Sequence, residues 1–513
     1  RLLTRYRGLS ERARLFGTLF AAGLVTLTGW LTWGEQAAGV YRRLGDVGQL
    51  ALTAAAASLF YVAPVFIIYL LALALLLFFV YARPAWGLAI VAFFFPFYVR
   101  TKPTGGYAFS PVEVFVLVTA VATALSYAGR LRRELAARYQ EKRDAPSLLL
   151  RWRALREQLR AADYAAAFFV LVATVSLLFT ERLDVATNEW RMVIVEPVLF
   201  YALLRLIGPS TKEMWRIVDA FVLGGIVVAV YGLWQYALGQ NVVTVAGGLA
   251  RLSSVYGSPN NVALYLGRVL PFLFAVALFG LRSPLRRFLY GLALVPVGIA
   301  LILTFSKGGL FLGVPAAIGL VLLLWLHSTR RPIWPWIAGG LLLAAAAAVI
   351  VFSVPALAQR LDLQGTTSVL RLSLWQASLN MFAENPLFGV GLDNFLYAYR
   401  GRYILDSGWE EPYLNHPHNI VLDFATRLGL AGLIAGVWLF AVLLRNLWHL
   451  RGRLDAEWRP VAVAIAGAVA QLLAHGIVDH SLFLVDLSFA FFFLLGLAVW
   501  LRTNRETIGR QPG

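Results

Sequence analysis

The sequence predicts an all-α, polytopic transmembrane protein of about fourteen spans, organised as a single membrane domain over residues 1–513. Three observations carry that expectation. Hydrophobic residues make up 60% of the chain and charged residues only 14%, against roughly 25% charged in a soluble domain. Apolar runs close to the roughly 20 residues that a helix needs to cross a bilayer recur from one end to the other. The basic residues, finally, are dense in alternate connections and sparse in those between.

The runs lie near 15–33, 61–80, 84–99, 111–128, 162–180, 192–204, 217–238, 260–280, 288–305, 308–326, 335–353, 428–444, 460–478 and 487–501. The first, Leu15–Trp33, is too long for a signal-peptide core and lacks a small-residue cleavage pattern, so a retained anchor is expected. A net charge of +18 would suggest nucleic acid in a soluble chain. Here its placement reads as topology. Of 45 Lys and Arg, 31 fall in the connections that share a side with both termini and 12 in the opposite set, while Arg268 and Arg427 fall within or beside spans. The positive-inside rule puts both termini in the cytoplasm, and no nucleic-acid partner is expected. The stretch 130–160, with ten basic and four acidic residues, reads as a cytoplasmic amphipathic loop beside anionic headgroups, with membrane lipid as its partner. With no cysteine in the chain, disulfides and thiolate metal sites are excluded.

One connection is long: residues 354–417, expected on the outer face, are too many for a simple link, and loops of this length are usually functional or disordered. This one carries a helical pattern over Ser368–Glu384, opened by possible caps at Thr366, Thr367 and Ser368 and closed by Asn385-Pro386. Leu370, Leu374, Trp375, Leu379 and Phe382 suit a helix lying on the membrane surface. Gly389-Val390-Gly391 and an aromatic group, Tyr397, Tyr399, Tyr403 and Trp409, follow. These aromatics suit interfacial packing or sugar stacking. Two other outer connections hold polar residues at the membrane edge: Gly239–Pro259, with Arg251, leading to Asn260-Asn261, and the tight turn Ser306-Lys307-Gly308-Gly309.

Six histidines are present, and His416 and His418 stand where the long loop meets the next span, in Asn415-His416-Pro417-His418-Asn419. Pro417 suits a first helical turn, which would set His418 near the helix's positive end and favour a neutral, base-competent imidazole. Interfacial capping is the alternative. His475, Asp479 and His480 end the thirteenth span; they suit either a polar interface or a metal or proton-relay site. Glu196, inside the sixth span, is costly there unless paired, and Arg205 is the candidate neighbour. Glu410-Glu411, the adjacent acidic pair of the loop, reads as solvated surface.

His418-Asn419, nine residues, then Gly429-Leu430-Ala431-Gly432 resembles the His-Asn-x9-Gly-x-x-Gly signature of the O-antigen ligase and polymerase superfamily. Arg371 to Trp375 resembles its Arg-x3-Trp element, and Pro386-Leu387-Phe388-Gly389-Val390-Gly391 its Pro-Leu-x-Gly-x-Gly element. Ser258-Pro259-Asn260-Asn261 is similar to its Pro-Asn element and Ser306-Lys307-Gly308 to its Ser-Arg-Gly element, with lysine where arginine is usual. Lysine keeps the charge and loses the bidentate fork.

The resemblance implies a GT-C-like membrane glycosyltransferase in a bacterial inner membrane. It would move a glycan from undecaprenyl diphosphate to the hydroxyl of a lipid or glycan acceptor on the extracytoplasmic face, inverting, without metal or cofactor. His418 would be the base, and Arg371, Lys307, Arg251, Asn260 and Asn419 would bind substrate. A polymerase of lipid-linked oligosaccharides is the alternative within the same chemistry. A multi-span transporter is the alternative outside it, although the paired internal repeats common in transporters are not visible.

Overall fold

The computed structural model describes residues 36–508 apart from 105–106, 141–158, 245–248, 281–282, most of 337–365 and 451–455, with isolated positions before 36. Among the described residues, nine helices are long and apolar enough to cross a membrane: Pro111–Arg132, Ala161–Phe179, Thr211–Ala237, Pro259–Phe279, Pro284–Leu303, Gly309–Thr329, Ile420–Leu450, Arg459–Gly476 and Val485–Asn504. Each coincides with an expected run. The expected runs 61–80 and 84–99 form instead a pair, Phe66–Ala82 and Pro84–Phe97, bent by 120°, because Pro84 cannot continue the helix before it. Run 192–204 is divided between the π-helical turn Trp190–Val195 and the 12-residue helix Glu196–Ile207, neither long enough to count. Runs 15–33 and 335–353, nearly all of 354–365, and 141–158 of the basic loop lie outside the described residues. Among the described residues the spans thus number nine, or ten with the bent pair; two of the fourteen expected runs, 15–33 and 335–353, fall outside them.

Two compact units are present, residues 1–159 with 202–221, and 160–201 with 222–513. In the first, Asp46–Val62 and Phe66–Ala82 pack as a helical hairpin. Lys102 donates to the carbonyls of Phe60, Tyr61 and Ala63, which places a cation on the carbonyl end of the first helix, where the helix dipole favours it.

In the second unit, Pro259–Phe279 and Val485–Asn504 are the most enclosed spans, and the former packs most extensively on Arg459–Gly476. An antiparallel ribbon, Val242–Thr244 with Ala250–Leu252, precedes it and sets Arg251 opposite Val243. The loop helix runs Thr366–Glu384, close to the expected Ser368–Glu384. It does not simply lie on a membrane: Leu374, Ala377 and Met381 pack into a core of the loop's own, with Val390, Phe395, Ala398, Tyr399 and Tyr403. Only part of the expected apolar face, Leu379 for instance, is exposed. The loop aromatics divide in the same way. Tyr399 and Tyr403 are buried, while Tyr397 and Trp409 remain exposed.

Two glycine motifs interlock. Gly429 interrupts the Ile420–Leu450 helix with φ 64° and ψ −155°. The break leaves backbone groups without helical partners, and Pro386-Leu387 supplies them: Leu430 N–H donates to the Pro386 carbonyl (2.8 Å) and Ala431 N–H to that of Leu387 (3.2 Å). In return Val390 N–H donates to the Thr426 carbonyl (2.7 Å). A Cβ at Gly429 would lie 2.4 Å from the Leu387 carbonyl carbon, and one at Gly389, 2.3 Å from the Thr426 oxygen. No side chain fits at either position, and both have positive φ. These glycines therefore fasten the long loop to the helix that follows it.

Candidate functional site

The helix after the loop begins at Ile420, so Pro417 lies outside its first turn, contrary to expectation. Asn419 is the reason. Its Oδ1 accepts from the N–H groups of Val421 (2.9 Å) and Leu422 (3.1 Å), and its Nδ2 donates to the Ile477 carbonyl (3.0 Å). This is an N-cap, satisfying donors that open every helix, and it occupies the side chain expected to bind substrate. Immediately before it, His418 has φ 50°, a conformation rare outside glycine and costing about 1–3 kcal/mol where the surroundings enforce it.

That backbone aims His418 at Asp479, three residues beyond the Arg459–Gly476 helix. His418 Nδ1 is 2.9 Å from Asp479 Oδ1, and the same oxygen accepts the His480 N–H at 2.9 Å. His416 joins from two residues back: its Nε2 is 3.1 Å from His418 Nδ1 and 3.6 Å from Asp479 Oδ1, and its Nδ1 is 2.6 Å from Asn415 Oδ1. The ring of His416 stacks on that of His480 at 3.8 Å, and His480 Nε2 approaches Asn261 Oδ1 at 3.5 Å. Asp479 is nearly inaccessible, at 3% side-chain exposure, and His418 keeps 19%. The hydrogen-bond pattern assigns the proton: His418 carries it on Nδ1, facing the carboxylate, which leaves Nε2 as a basic lone pair.

Electrostatics supports a charged Asp479 beside neutral His416 and His480. Burial opposes ionisation of Asp479, yet the imidazoles of His416 and His418 outweigh it and hold the carboxyl well below the usual range. Burial, reinforced by His418, pushes His416 below the usual imidazole range, and burial with His416 beside it pushes His480 well below. Below the ordinary imidazole value of 6.5 the unfolded chain therefore binds more protons than the fold does, and stability falls with falling pH. Asp479, whose stabilisation is lost as pH drops toward its own lowered value, acts in the same direction. Melting of the purified protein should thus occur at a lower temperature at acidic than at neutral pH, with a slope of at most about 1.4 kcal/mol per pH unit for each histidine. His480→Gln should flatten that slope, and an unchanged slope would contradict the assignment.

His416, Asp479 and His480 have one ligand-type atom each within 4.8 Å of one another. Their geometry fits a relay better than a metal. The two rings lie within 13° of parallel, stacked at 3.8 Å, so their in-plane lone pairs occupy separate planes and do not converge on one ion without a ring rotation.

The expected cations divide into two groups. Arg371 lies on the Thr366–Glu384 helix, one turn from Trp375, whose Nε1 donates to the Pro417 carbonyl at 2.9 Å and ties that helix to the His416–His418 strand. Lys307 belongs to the turn whose Gly308 rests on the His475 ring, a Cβ there lying 2.7 Å from His475 Cδ2. Arg251 and Asn260 lie beside this turn and pair with each other. Arg251 Nε donates to the Thr304 carbonyl (2.8 Å) and its Nη2 to Asn260 Oδ1 (2.9 Å), fixing the chain just ahead of Ser306.

Behind the histidines lies an ionic cluster that sequence patterning missed. Arg427 is 3% exposed; it grips both oxygens of Glu189 and sets Nε 2.8 Å from Asp423 Oδ1. Its Nη2 reaches the Asn415 carbonyl at 3.4 Å. The i,i+4 spacing of Asp423 and Arg427 was the available signal; Glu189, 238 residues from Arg427, gave none. Glu196 pairs with Arg191 (3.1 Å), not Arg205, because the π-helical turn Trp190–Val195 brings residues five apart side by side. Glu410 and Glu411 are exposed, as expected.

A family model described as O-antigen ligase matches residues 292–437. The stretch includes Lys307, Arg371, the Gly389–Gly429 interlock, His418 and Arg427; Arg251 and Asn260 precede it, and His475, Asp479 and His480 follow it. No curated protein matches the chain.

Proposed function

We propose that this chain, whose residues 292–437 match the O-antigen ligase family model, transfers a glycan from a lipid diphosphate to an acceptor hydroxyl, in one inverting displacement on the extracytoplasmic face. The observation that carries this is the 2.9 Å contact between His418 Nδ1 and Asp479 Oδ1, on a strained backbone at the junction of loop and membrane helix. His418 Nε2 takes the acceptor proton as the hydroxyl oxygen attacks the anomeric carbon. The bond from that carbon to the diphosphate oxygen breaks, and its electron pair leaves with the diphosphate. Asp479 balances the imidazolium formed, as a buried carboxylate does for a catalytic histidine. Arg371 and Lys307 take up charge on the leaving diphosphate, a role that needs no metal.

Arg371 offers a test of the donor. Loss of a charge-assisted hydrogen bond is worth about 1.5–3 kcal/mol, so Arg371→Ala should raise the KM for a purified undecaprenyl-diphosphate-linked glycan by roughly 10–100-fold, with Arg371→Lys recovering part of the loss. Wild-type kinetics in both variants would remove the phosphate role. Supplying the lipid-linked repeat unit without any other acceptor separates the two transfer reactions: lengthening of the glycan identifies a polymerase, and an unchanged unit a ligase. Accumulation of an unmodified glycan in sealed vesicles would instead favour transport.

A further inference from the structure

Three buried side chains run from the middle of the second unit toward Asp479. Arg268 is fully buried in the Pro259–Phe279 helix; its Nη1 donates to Gln471 Oε1 (3.1 Å) and its Nη2 to the Ser481 carbonyl (2.6 Å). A guanidinium only donates, so Gln471 must face it with oxygen. Gln471 Nε2 then points the other way, 3.2 Å from His475 Nδ1, and donates there. His475 Nδ1 is consequently the acceptor, and the ring of a neutral His475 carries its hydrogen on Nε2. This Nε2 is buried, finds no hydrogen-bond partner and lies 4.0 Å from Asp479 Oδ2. The other edge of the ring supports the Lys307 turn through Gly308 and Gly309.

We infer that His475 is a positioning residue of the transfer site, its Nε2–H set by Arg268 and Gln471 to hold the second oxygen of Asp479 while the first holds His418. The inference rests on the transfer reading and deepens it: one imidazole joins the base and the turn that carries the phosphate-facing Lys307. The 4.0 Å separation is longer than a hydrogen bond, and catalytic hydrogen bonds often tighten only when substrate is bound. His475 thus acts through Asp479 and touches no reacting atom.

The experiment compares two variants and one signal. Glutamine can place an amide donor where the imidazole Nε2–H stands, whereas phenylalanine fills the space without a donor. His475→Phe should lower kcat at least tenfold with the donor KM within about threefold of wild type, and His475→Gln should keep kcat within about threefold. In protein labelled with 15N-histidine, the signals lost in His475→Phe should be those of a neutral ring protonated on Nε2. Equal kcat in all three proteins, equal loss in both variants, or protonation on Nδ1 would each overturn the inference. The tautomer is measured without substrate, so it remains decisive even if His418→Ala retains transfer activity and the transfer reading itself fails.

Discussion

His418→Ala should lower the rate of glycan transfer by about 10²–10⁴-fold, the range over which a positioned acid or base contributes, while leaving binding of the lipid-linked donor nearly unchanged. The separation follows from geometry. His418 Nδ1 faces Asp479, so the ring's other nitrogen is the one presented to an incoming hydroxyl, whereas the cations Arg371 and Lys307 belong to other elements. A Asp479→Asn variant sharpens the test. The amide oxygen can still accept from His418 Nδ1 and the His480 N–H, but it carries no charge to balance the imidazolium formed in transfer. The rate should fall by a comparable factor, and the melting temperature should fall too, because the ionised carboxylate stabilises the fold. Turnover in membranes, measured per folded molecule, decides. Near-normal transfer by folded His418→Ala would remove the base from the scheme.

The parts of this site that could be read in the chain are those set by local pattern. Hydropathy located nine of the spans because burial in lipid demands long apolar runs. The loop helix was legible because Asn385-Pro386 ends it. His418 could be singled out by its place at the end of a long loop. Its mode of action could not, since a proline ahead of it suggested a helical first turn, whereas the Asn419 cap moved the helix start to Ile420 and turned His418 into the left-handed region. The aromatic Tyr399 looked like a residue of the membrane interface or a sugar platform, but it is core to the loop.

Asp479 illustrates a different limit. Its spacing from His475 was visible, but a carboxylate at a predicted water interface has an ordinary explanation. Only the fold, which brings position 418 to position 479, shows that carboxylate buried and hydrogen-bonded to a histidine from another element. Arg251 and Asn260 meet the same limit from the other side. Their polar character at a membrane edge suggested substrate contacts, and the fold adds hydrogen bonds from Arg251 to Asn260 and to the Thr304 carbonyl. Polar residues announce that something must pair with them, and the sequence alone does not say whether the partner is substrate or protein.

Arg427→Met should destabilise the protein by about 3–5 kcal/mol, the usual result of removing one member of a buried ion pair. Glu189 and Asp423, 8% and 0% exposed as side chains, both face this guanidinium, and methionine fills much of its volume while leaving their carboxylates uncompensated. The loss should register as a large drop in melting temperature. Adding Glu189→Gln removes one of the stranded charges, so the double variant should recover stability relative to Arg427→Met alone, even though it contains a second change. Failure of the second substitution to recover any stability would show that Arg427 contributes mainly through packing, including its place 5.2 Å over the Phe483 ring. Activity adds a separate measure. Arg427 also touches the Asn415 carbonyl, one residue before His416, so a double variant that regains stability but still transfers slowly would show that this arginine positions the histidine strand as well as binding the helices beneath it.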